Sequence, residues 1–272
     1  MYMAIDVGGT KTLMALFGAD GQLQNRLKFP TPKEYPDFLS QLRQEWQKLG
    51  QPKLLAGAAG LPSVLNRAQG ILVSCGNLNW KNQPTKAHLE EIFGCPFVLE
   101  NDAKAAGLSE AIFVKDEFNK VLYVTLGTGI GYSYIINDII DLSYPDVGGA
   151  GLMVRSAGGQ TVAWESLASG TAIVRDYGMP ASDITDPKSW FDIAQKLSIG
   201  ILALLQTASP QVIIFGGGVS VNFDKFATPL GLILDGTSNH IKLQQAHQAE
   251  DAVIYGCYHL AHQMEAADGQ AA

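Results

Sequence analysis

The stretch Ala4–Thr12 reads AIDVGGTKT, and its interpretation governs that of the whole chain. An apolar run reaches Asp6 and then passes into Gly8 and Gly9, which predicts a strand followed by a glycine turn. One interpretation is a hairpin turn with a solvated aspartate. The other is a phosphate site, because glycine lets a phosphate approach the backbone and successive N–H groups form an anion-binding concavity. Taken alone the stretch favours the turn, since short glycine motifs often match by chance.

The composition is that of an ordinary globular protein. The 272 residues are 47% hydrophobic and 17% charged, and this length favours two lobes. A net charge of −7 argues against nucleic acid or an anionic membrane as the main partner, because both bind basic surfaces. The scattered Cys75, Cys95 and Cys257 predict reduced thiols rather than disulfides. Without a signal-peptide pattern or an apolar run near the roughly 20 residues of a membrane span, we expect a cytoplasmic protein.

Hydrophobic spacing predicts an α/β fold that opens with an antiparallel meander. The expected strands are 2–7, 12–18, 22–29, 53–58, 96–99, 121–126, 132–136 and 211–215, and the expected helices are 35–49, 85–93, 103–113, 164–176, 188–207 and 250–266. The order strand, glycine and threonine turn, strand occurs twice, because 121–126 runs into Gly127-Thr128-Gly129. We interpret this as a degenerate internal duplication in which two α/β lobes each offer a glycine hairpin to one cleft.

The second copy of the hairpin favours the phosphate interpretation of the first. Thr10 and Thr128 add hydroxyl donors, and Asp6 is placed to hold Mg²⁺ through water, since magnesium gives up its hydration shell reluctantly. Lys11 is either a phosphate neutraliser or a solvated turn residue. The sequence has no G-x-x-x-x-G-K-[ST], and its first glycine turn precedes a strand, so neither a P-loop nor a dinucleotide-binding fingerprint fits.

Two polar segments provide further candidates. In LENDAKAA, Asp102 lies where a strand passes into a helix, so it is either an N-cap or a carboxylate within reach of an attacking hydroxyl. Asn101 offers a donor and an acceptor suited to a polyol. In GNLNW, the alternatives are a turn with a packing Trp80 or a sugar platform in which Asn77 binds hydroxyls.

Two other segments carry one candidate each. Glu165 in WESLASG is by default an acid on a helix surface. The glycines at 216–218 follow a buried strand, and they form either a flexible turn or a close approach for a flat ligand such as adenine.

In this order the motifs resemble the ROK family of bacterial sugar kinases and sugar-responsive regulators, within the actin-like, hexokinase-like ATPase superfamily. The segments that carry the resemblance are AIDVGGTKT (4–12), GLP (60–62), GNLNW (76–80), LENDAKAA (99–106), LGTGIG (126–131), WESLASGTA (164–172) and IIFGGGVS (213–220). The resemblance implies two actin-like, ribonuclease H-like lobes around a central nucleotide and sugar cleft. Residues 1–112 would form the sugar-binding lobe with the first phosphate hairpin. Residues 113–272 would carry the second hairpin and the adenosine site, with the last helix, about 250–266, able to pack back on the first lobe.

The resemblance also implies an activity and roles for individual residues. The activity is phosphorylation of a sugar hydroxyl by ATP and Mg²⁺, usually the 6-OH of a hexose or N-acetylhexosamine, with Asp102 as general base and Asp6 near the metal. The implied sugar ligands are Asn77, Asn101, Asp102 and Glu165. The implied nucleotide ligands are Gly8, Gly9, Thr10, Lys11, Gly127, Thr128 and Gly129 at the phosphates, and Gly217 and Gly218 at the adenosine.

The chain departs from the family at one segment. Members usually carry Gly-Glu-x-Gly-His before a zinc loop rich in cysteine, whereas this chain has Gly149 and Leu152 in place of the glutamate and histidine. RSAGGQTVA at 155–163 stands where the zinc cysteines would be, so we expect no structural zinc. The loss of two polar groups that face the sugar weakens any assignment to glucose itself.

The departure leaves a second function class open. The alternative to a kinase is a sugar- or nucleotide-binding sensor with weak or no catalysis. Because the first strand starts at residue 2 or 3, we expect no N-terminal DNA-binding domain of the kind that family regulators carry. The expected partner is a small-molecule sugar, and the family resemblance allows a homodimer.

Overall fold

The computed structural model describes residues 1–76, 78–146, 151–156, 158–236 and 241–271. Its strands are β1 (Tyr2–Val7), β2 (Lys11–Phe17), β3 (Leu23–Pro30), β4 (Ala56–Leu61), β5 (Ser63–Asn66), β6 (Ile71–Cys75), β7 (Lys81–Gln83), β8 (Phe97–Asn101), β9 (Lys120–Leu126), β10 (Ile130–Ile136), β11 (Ile139–Ile140), β12 (Met153–Arg155), β13 (Thr161–Ala163), β14 (Val212–Gly216) and β15 (Lys242–Gln245). Its α-helices are α1 (Tyr35–Lys48), α2 (Thr85–Phe93), α3 (Asp102–Phe113), α4 (Glu165–Ala168), α5 (Gly170–Tyr177), α6 (Pro187–Leu204), α7 (Phe223–Asp235) and α8 (Ala252–Ala271). Short 3-10 helices cover Ala181–Asp183, Gly218–Asn222 and Ala249–Asp251.

The chain forms two compact units. The first comprises Met1–Ser109 with Asp251–Ala272, and the second comprises Glu110–Glu250. The last helix therefore belongs to the same unit as the first strand. The division of the sequence near residue 112 and the role given to each lobe stay predictions.

The first unit is built on a five-stranded sheet in the order β3-β2-β1-β4-β8. The meander β1-β2-β3 is antiparallel, whereas β1, β4 and β8 run parallel. Helix α8 packs closely on one face, because a Cβ on Gly60 would lie 2.5 Å from Val253 Cγ1 and 3.4 Å from Cys257 Sγ. A second cluster of apolar side chains, which includes Phe38 and Trp46, packs α1 against the sheet. These contacts place the carboxyl ends of β1, β4 and β8 side by side.

The second unit repeats the arrangement with the sheet order β11-β10-β9-β14-β15. β9 and β10 form an antiparallel hairpin, and β14 runs parallel to β9 and β15. Helices α6 and α7 contribute to its core, where Trp190 and Phe226 stack with ring centroids 6.2 Å apart. The hairpin between β9 and β10 therefore lies beside the end of β14.

Most predicted elements lie within a few residues of their expected limits, and among them the main difference is the helix expected at 164–176. That segment is divided into α4 and α5 at Ser169, whose backbone is extended with φ −69° and ψ 165°. The Ser169 hydroxyl accepts a hydrogen bond from the Ala172 N–H and so caps α5. A capping serine ends one helix and begins the next, which helical spacing alone does not reveal.

Candidate functional site

The turn between β1 and β2 is held through its carbonyl groups. Gly8 O accepts a hydrogen bond from Thr31 Oγ1 at 2.8 Å, and Gly9 O accepts one from Lys33 Nζ at 2.9 Å. Thr10 O accepts one from the Thr31 N–H at 3.0 Å. Within the described part of the chain, the N–H groups of Gly9 and Thr10 donate to no protein acceptor. The turn therefore presents backbone donors and no spare carbonyl, as an anion site requires.

The turn between β9 and β10 has the same arrangement in the second unit. Gly127 O accepts from the Gly170 N–H at 2.7 Å, and Thr128 O accepts from Thr171 Oγ1 at 2.7 Å. Gly129 O accepts from the Gly127 N–H at 3.0 Å. Among the residues that the structure describes, the Thr128 and Gly129 N–H groups have no protein acceptor. Both hairpins thus have three occupied carbonyls and two available N–H groups.

The residues that hold these turns were not among the site residues predicted from the sequence. Thr31 and Lys33 follow β3, and the pairing of Lys11 with Pro30 brings that strand end beside the first turn. The antiparallel meander predicted from the sequence already implies that the end of the third strand lies near the first turn. The AIDVGGTKT motif alone does not show which residues hold that turn. Lys11, in contrast, is exposed at the start of β2, and its two alternatives both stay open.

Asp6 lies half-buried near the end of β1. The pKa of its carboxyl is raised to about 7, chiefly by burial and then by the negative charge of Asp102, with Lys28 partly opposing both effects. The structure therefore brings the two predicted carboxylates, Asp6 and Asp102, into electrostatic contact. A bound cation would offset the cost of burying the charged Asp6 carboxylate and would reduce its repulsion with Asp102. This donor set therefore fits Mg²⁺.

The described residues contain no group of three or more His, Cys, Asp or Glu side chains that could hold a metal ion. A fully protein-coordinated metal centre is therefore not formed by them. Magnesium usually keeps several waters and binds through one or two carboxylates. Asp6 with water molecules would satisfy that requirement.

The start of α3 divides its capping between two residues. Asn101 Oδ1 accepts from the Ala103 N–H at 3.1 Å and the Lys104 N–H at 3.4 Å, and Asp102 Oδ1 accepts from the Ala103 N–H at 2.8 Å. Asn101 is fully buried, and its Nδ2 donates to Ser63 O at 3.4 Å. Asp102 remains partly exposed. The N-cap role considered for Asp102 is thus performed largely by Asn101.

Glu165 begins α4 beside the second hairpin. Its Oε2 lies 2.7 Å from the position that a Cβ on Gly129 would occupy. Its place on a helix surface is as expected by default, but the carboxylate lies against a turn rather than in bulk solvent. The Glu165 carboxylate therefore lies beside the second hairpin.

The glycines after β14 differ from one another. Gly217 has φ 81° and ψ 171°, and a Cβ there would lie 2.6 Å from Leu126 O. A Cβ on Gly218 would meet nothing within 4 Å. Gly217 is therefore required for packing against the strand that leads into the second hairpin, whereas Gly218 borders open space.

The segment that departs from the family pattern is only partly described. Asn77 and Gly148, Gly149 and Ala150 lie outside the described residues. The side chain of Leu152 packs against the core of the second unit, and its carbonyl accepts from the Trp164 N–H at 2.7 Å. Met153–Arg155 and Thr161–Ala163 form the antiparallel pair β12–β13. Leu152 therefore contributes apolar packing at the position where the family pattern has a histidine.

Trp80 belongs to the core of the first unit. It is buried, its ring centroid lies 4.6 Å from that of Phe38, and its Nε1 donates to Lys33 O at 2.9 Å. The packing alternative for Trp80 is the one observed. Through Lys33 the indole also supports the first hairpin.

None of the described helices is both long and apolar enough to span a membrane.

The glucokinase of Streptomyces coelicolor is 24% identical over 271 residues, which cover 84% of this chain and 85% of that protein. The N-acetylgalactosamine kinase AgaK of Shewanella is 28% identical over 256 residues, with 81% and 82% covered. A ROK family glucokinase from Streptomyces griseus, solved with glucose and AMPPNP, superposes with a TM-score of 0.80 at 23% identity over 96% of this chain and 99% of that one.

The structural similarity confirms the predicted fold class, α/β with actin-like lobes. The family model for ROK proteins matches residues 2–264, which is nearly the whole chain. The motifs at both glycine hairpins and at the start of α3 lie inside that match. The chain belongs to the ROK family.

Proposed function

We propose that this protein is an ATP-dependent sugar kinase that phosphorylates a hydroxyl group of a hexose or N-acetylhexosamine, the 6-OH in particular. The observation that carries the proposal is the matched pair of hairpins, each with two backbone N–H groups that have no protein acceptor among the described residues. The named kinases among its relatives support the same reaction class.

The hairpins are suited to bind the phosphates of ATP. Phosphoryl transfer requires little covalent chemistry from the protein, so positioning and charge stabilisation dominate. N–H groups fixed by the hydrogen bonds of Thr31 and Thr171 are already oriented and need no reorganisation. Gly8, Gly9 and Thr10, with Gly127, Thr128 and Gly129, would contact the β- and γ-phosphates.

Asp102 is the proposed general base. It is partly exposed at the first turn of α3, and its carboxylate can accept the proton of the attacking sugar hydroxyl. Asp6 would hold Mg²⁺ through water, and the ion, when bound, neutralises charge on the phosphates. The two carboxylates would thus have separate roles, one toward the acceptor and one toward the metal.

The remaining ligands follow from their positions. Glu165, beside the second hairpin, would bind a sugar hydroxyl, and Asn77 and Asn101 would do the same. Since Asn101 is fully buried and caps α3, its contact with sugar would require exchange of the bond to Ser63 O. Gly218 borders open space and is suited to lie against the adenosine.

The decisive experiment is a screen of ADP release with Mg-ATP across hexoses, N-acetylhexosamines and ketoses. A kinase releases ADP at a rate that depends on one of these acceptors, and chelation of Mg²⁺ abolishes that release. If no acceptor supports turnover while calorimetry still detects sugar binding, the protein is a sensor and the proposal fails.

A further inference from the structure

The ion pair between Arg67 and Glu100 lies at the strand end that precedes Asp102. Arg67 Nε donates to Glu100 Oε2 at 3.0 Å, and Arg67 Nη2 donates to Glu100 Oε1. Glu100 is only 4% exposed. A bidentate, charge-assisted contact of this kind fixes both distance and orientation.

Glu100 transmits that contact to the backbone. Its Oε1 also accepts a hydrogen bond from the Asn101 N–H at 2.6 Å. Asn101 in turn caps α3, the helix that begins at Asp102. Arg67 is therefore connected through Glu100 to the backbone of Asn101, the residue directly before Asp102.

The position of β8 in its sheet explains why such a contact is needed. β8 is the last strand in the order β3-β2-β1-β4-β8, so among the described strands of that sheet only β4 pairs with it. The pairing ends with Gly60 opposite Glu100 and Leu61 opposite Asn101. Beyond this point the chain leaves the sheet and enters α3.

Arg67 is itself presented by an ordered turn between β5 and β6. Asn66 Nδ2 donates to Gln69 Oε1 at 2.7 Å, and the Gln69 N–H donates back to Asn66 Oδ1 at 3.2 Å. The Gly70 N–H donates to Arg67 O at 3.3 Å. The backbone that carries the Arg67 guanidinium is therefore already ordered, and little backbone entropy is lost when the guanidinium binds Glu100.

We propose that Arg67 is a positioning residue for phosphoryl transfer, which holds the peptide before Asp102 through Glu100 and so fixes the location of the base. The inference rests on the proposed function, because it needs Asp102 to act on the acceptor. A base displaced by about 1 Å loses about 10²-fold in rate. Arg67 does not touch the reacting atoms.

The competing explanation is that the ion pair only stabilises the fold. A buried carboxylate that loses its partner is destabilising wherever it lies. That explanation predicts a lower melting temperature for any disruption, with normal kcat in the molecules that remain folded. Positioning predicts a lower kcat with little change in the KM for ATP.

The test is Arg67→Lys, which keeps the charge but removes the planar bidentate fork. We expect kcat to fall by between about tenfold and a hundredfold, with the KM for ATP within about twofold of the parent. The matched control is Arg43→Lys, because Arg43 forms an exposed pair with Glu91 in the same unit at 2.9 Å. The control should retain the parent kcat. Parent-like kcat in Arg67→Lys would overturn the proposal.

A double variant separates the two explanations further. If Arg67 acts through Asp102, Arg67→Lys/Asp102→Asn turns over no more slowly than Asp102→Asn alone, because the base is already lost. If the two losses multiply, Arg67 does not act through the base and the proposal is wrong. Should Arg67→Lys not fold, Arg67→Met/Glu100→Met removes both charges of the pair together and is expected to lower kcat equally.

Hydrogen exchange distinguishes failure of this inference from failure of the proposed function. We expect Arg67→Lys to accelerate amide exchange in residues 100–106 and to leave the second unit unchanged. Unchanged exchange in that segment overturns the positioning role whatever the activity. If exchange is faster in Arg67→Lys but the parent shows no acceptor-dependent ADP release, Arg67 still positions residues 100–106 and the proposed kinase function is wrong.

Discussion

Replacing Gly217 by alanine tests the backbone arrangement behind the second hairpin. With φ 81° and ψ 171°, this residue occupies a region that only glycine adopts readily. The added Cβ would lie 2.6, 2.7 and 2.8 Å from the O, C and N atoms of Leu126. Because the collision is with backbone, no side-chain rotation can relieve it.

The expected cost follows from these two effects. The backbone conformation costs about 1–3 kcal/mol for a residue with a side chain, and forced repacking adds about 1–3 kcal/mol. Alanine also lowers the entropy of the unfolded chain, which offsets about 0.4–1 kcal/mol. The net loss of about 1–5.6 kcal/mol should lower Tm by roughly 3–17 °C at about 3 °C per kcal/mol.

The assay is thermal unfolding followed by circular dichroism, with Gly218→Ala as the matched control. A Cβ at Gly218 meets nothing within 4 Å, so that variant should melt within about 2 °C of the parent. If Gly218 lies against adenosine, Gly218→Ala should also raise the KM for ATP. Equal melting temperatures for Gly217→Ala and Gly218→Ala would refute the reasoning about Leu126.

Two further predictions concern the hairpins and Asp6. Thr171→Val leaves Thr128 O without its donor, a loss of about 0.5–1.5 kcal/mol. It should lower Tm by no more than about 5 °C and raise the KM for ATP by about 2–12-fold. An unchanged KM in steady-state kinetics would contradict this. Because Asp6 has a pKa raised to about 7, the folded state binds its proton more tightly than the unfolded state. Its stabilising contribution is present below the unfolded pKa near 3.8 and is lost as pH rises through about 7. Without Mg²⁺, the Tm of Asp6→Asn minus the Tm of the parent should therefore increase from pH 4 to pH 8. A difference that does not change with pH would show that the pKa of Asp6 is not raised.

Local patterns in the sequence predicted the hairpins and the start of α3 because each depends on neighbouring residues. The glycines after Val7 and Leu126 end strands where the structure has turns, and the strand before Asp102 passes directly into a helix. Helix α7 was not predicted, because it contains Pro229 and its pattern is hidden by that residue. Its Phe226 nevertheless packs in the core of the second unit.

The parts of the site that could not be predicted depend on contacts distant in sequence. Thr31 binds Gly8 across 23 residues, and Arg67 binds Glu100 across 33. Neither Thr31 nor Arg67 belongs to a motif, and each pairing follows from strand order and register. The sequence also could not show that Asn101 rather than Asp102 is the main cap of α3, since either side chain can cap a helix.

The most direct test of the central claim is the acceptor-dependent rate of ADP release by Asp102→Asn. The substitution preserves shape, so the variant should keep the parent Tm. If Asp102 is the base, the rate should fall by about 10²–10⁴-fold at saturating Mg-ATP and acceptor. A variant that turns over as fast as the parent would contradict the assignment of Asp102.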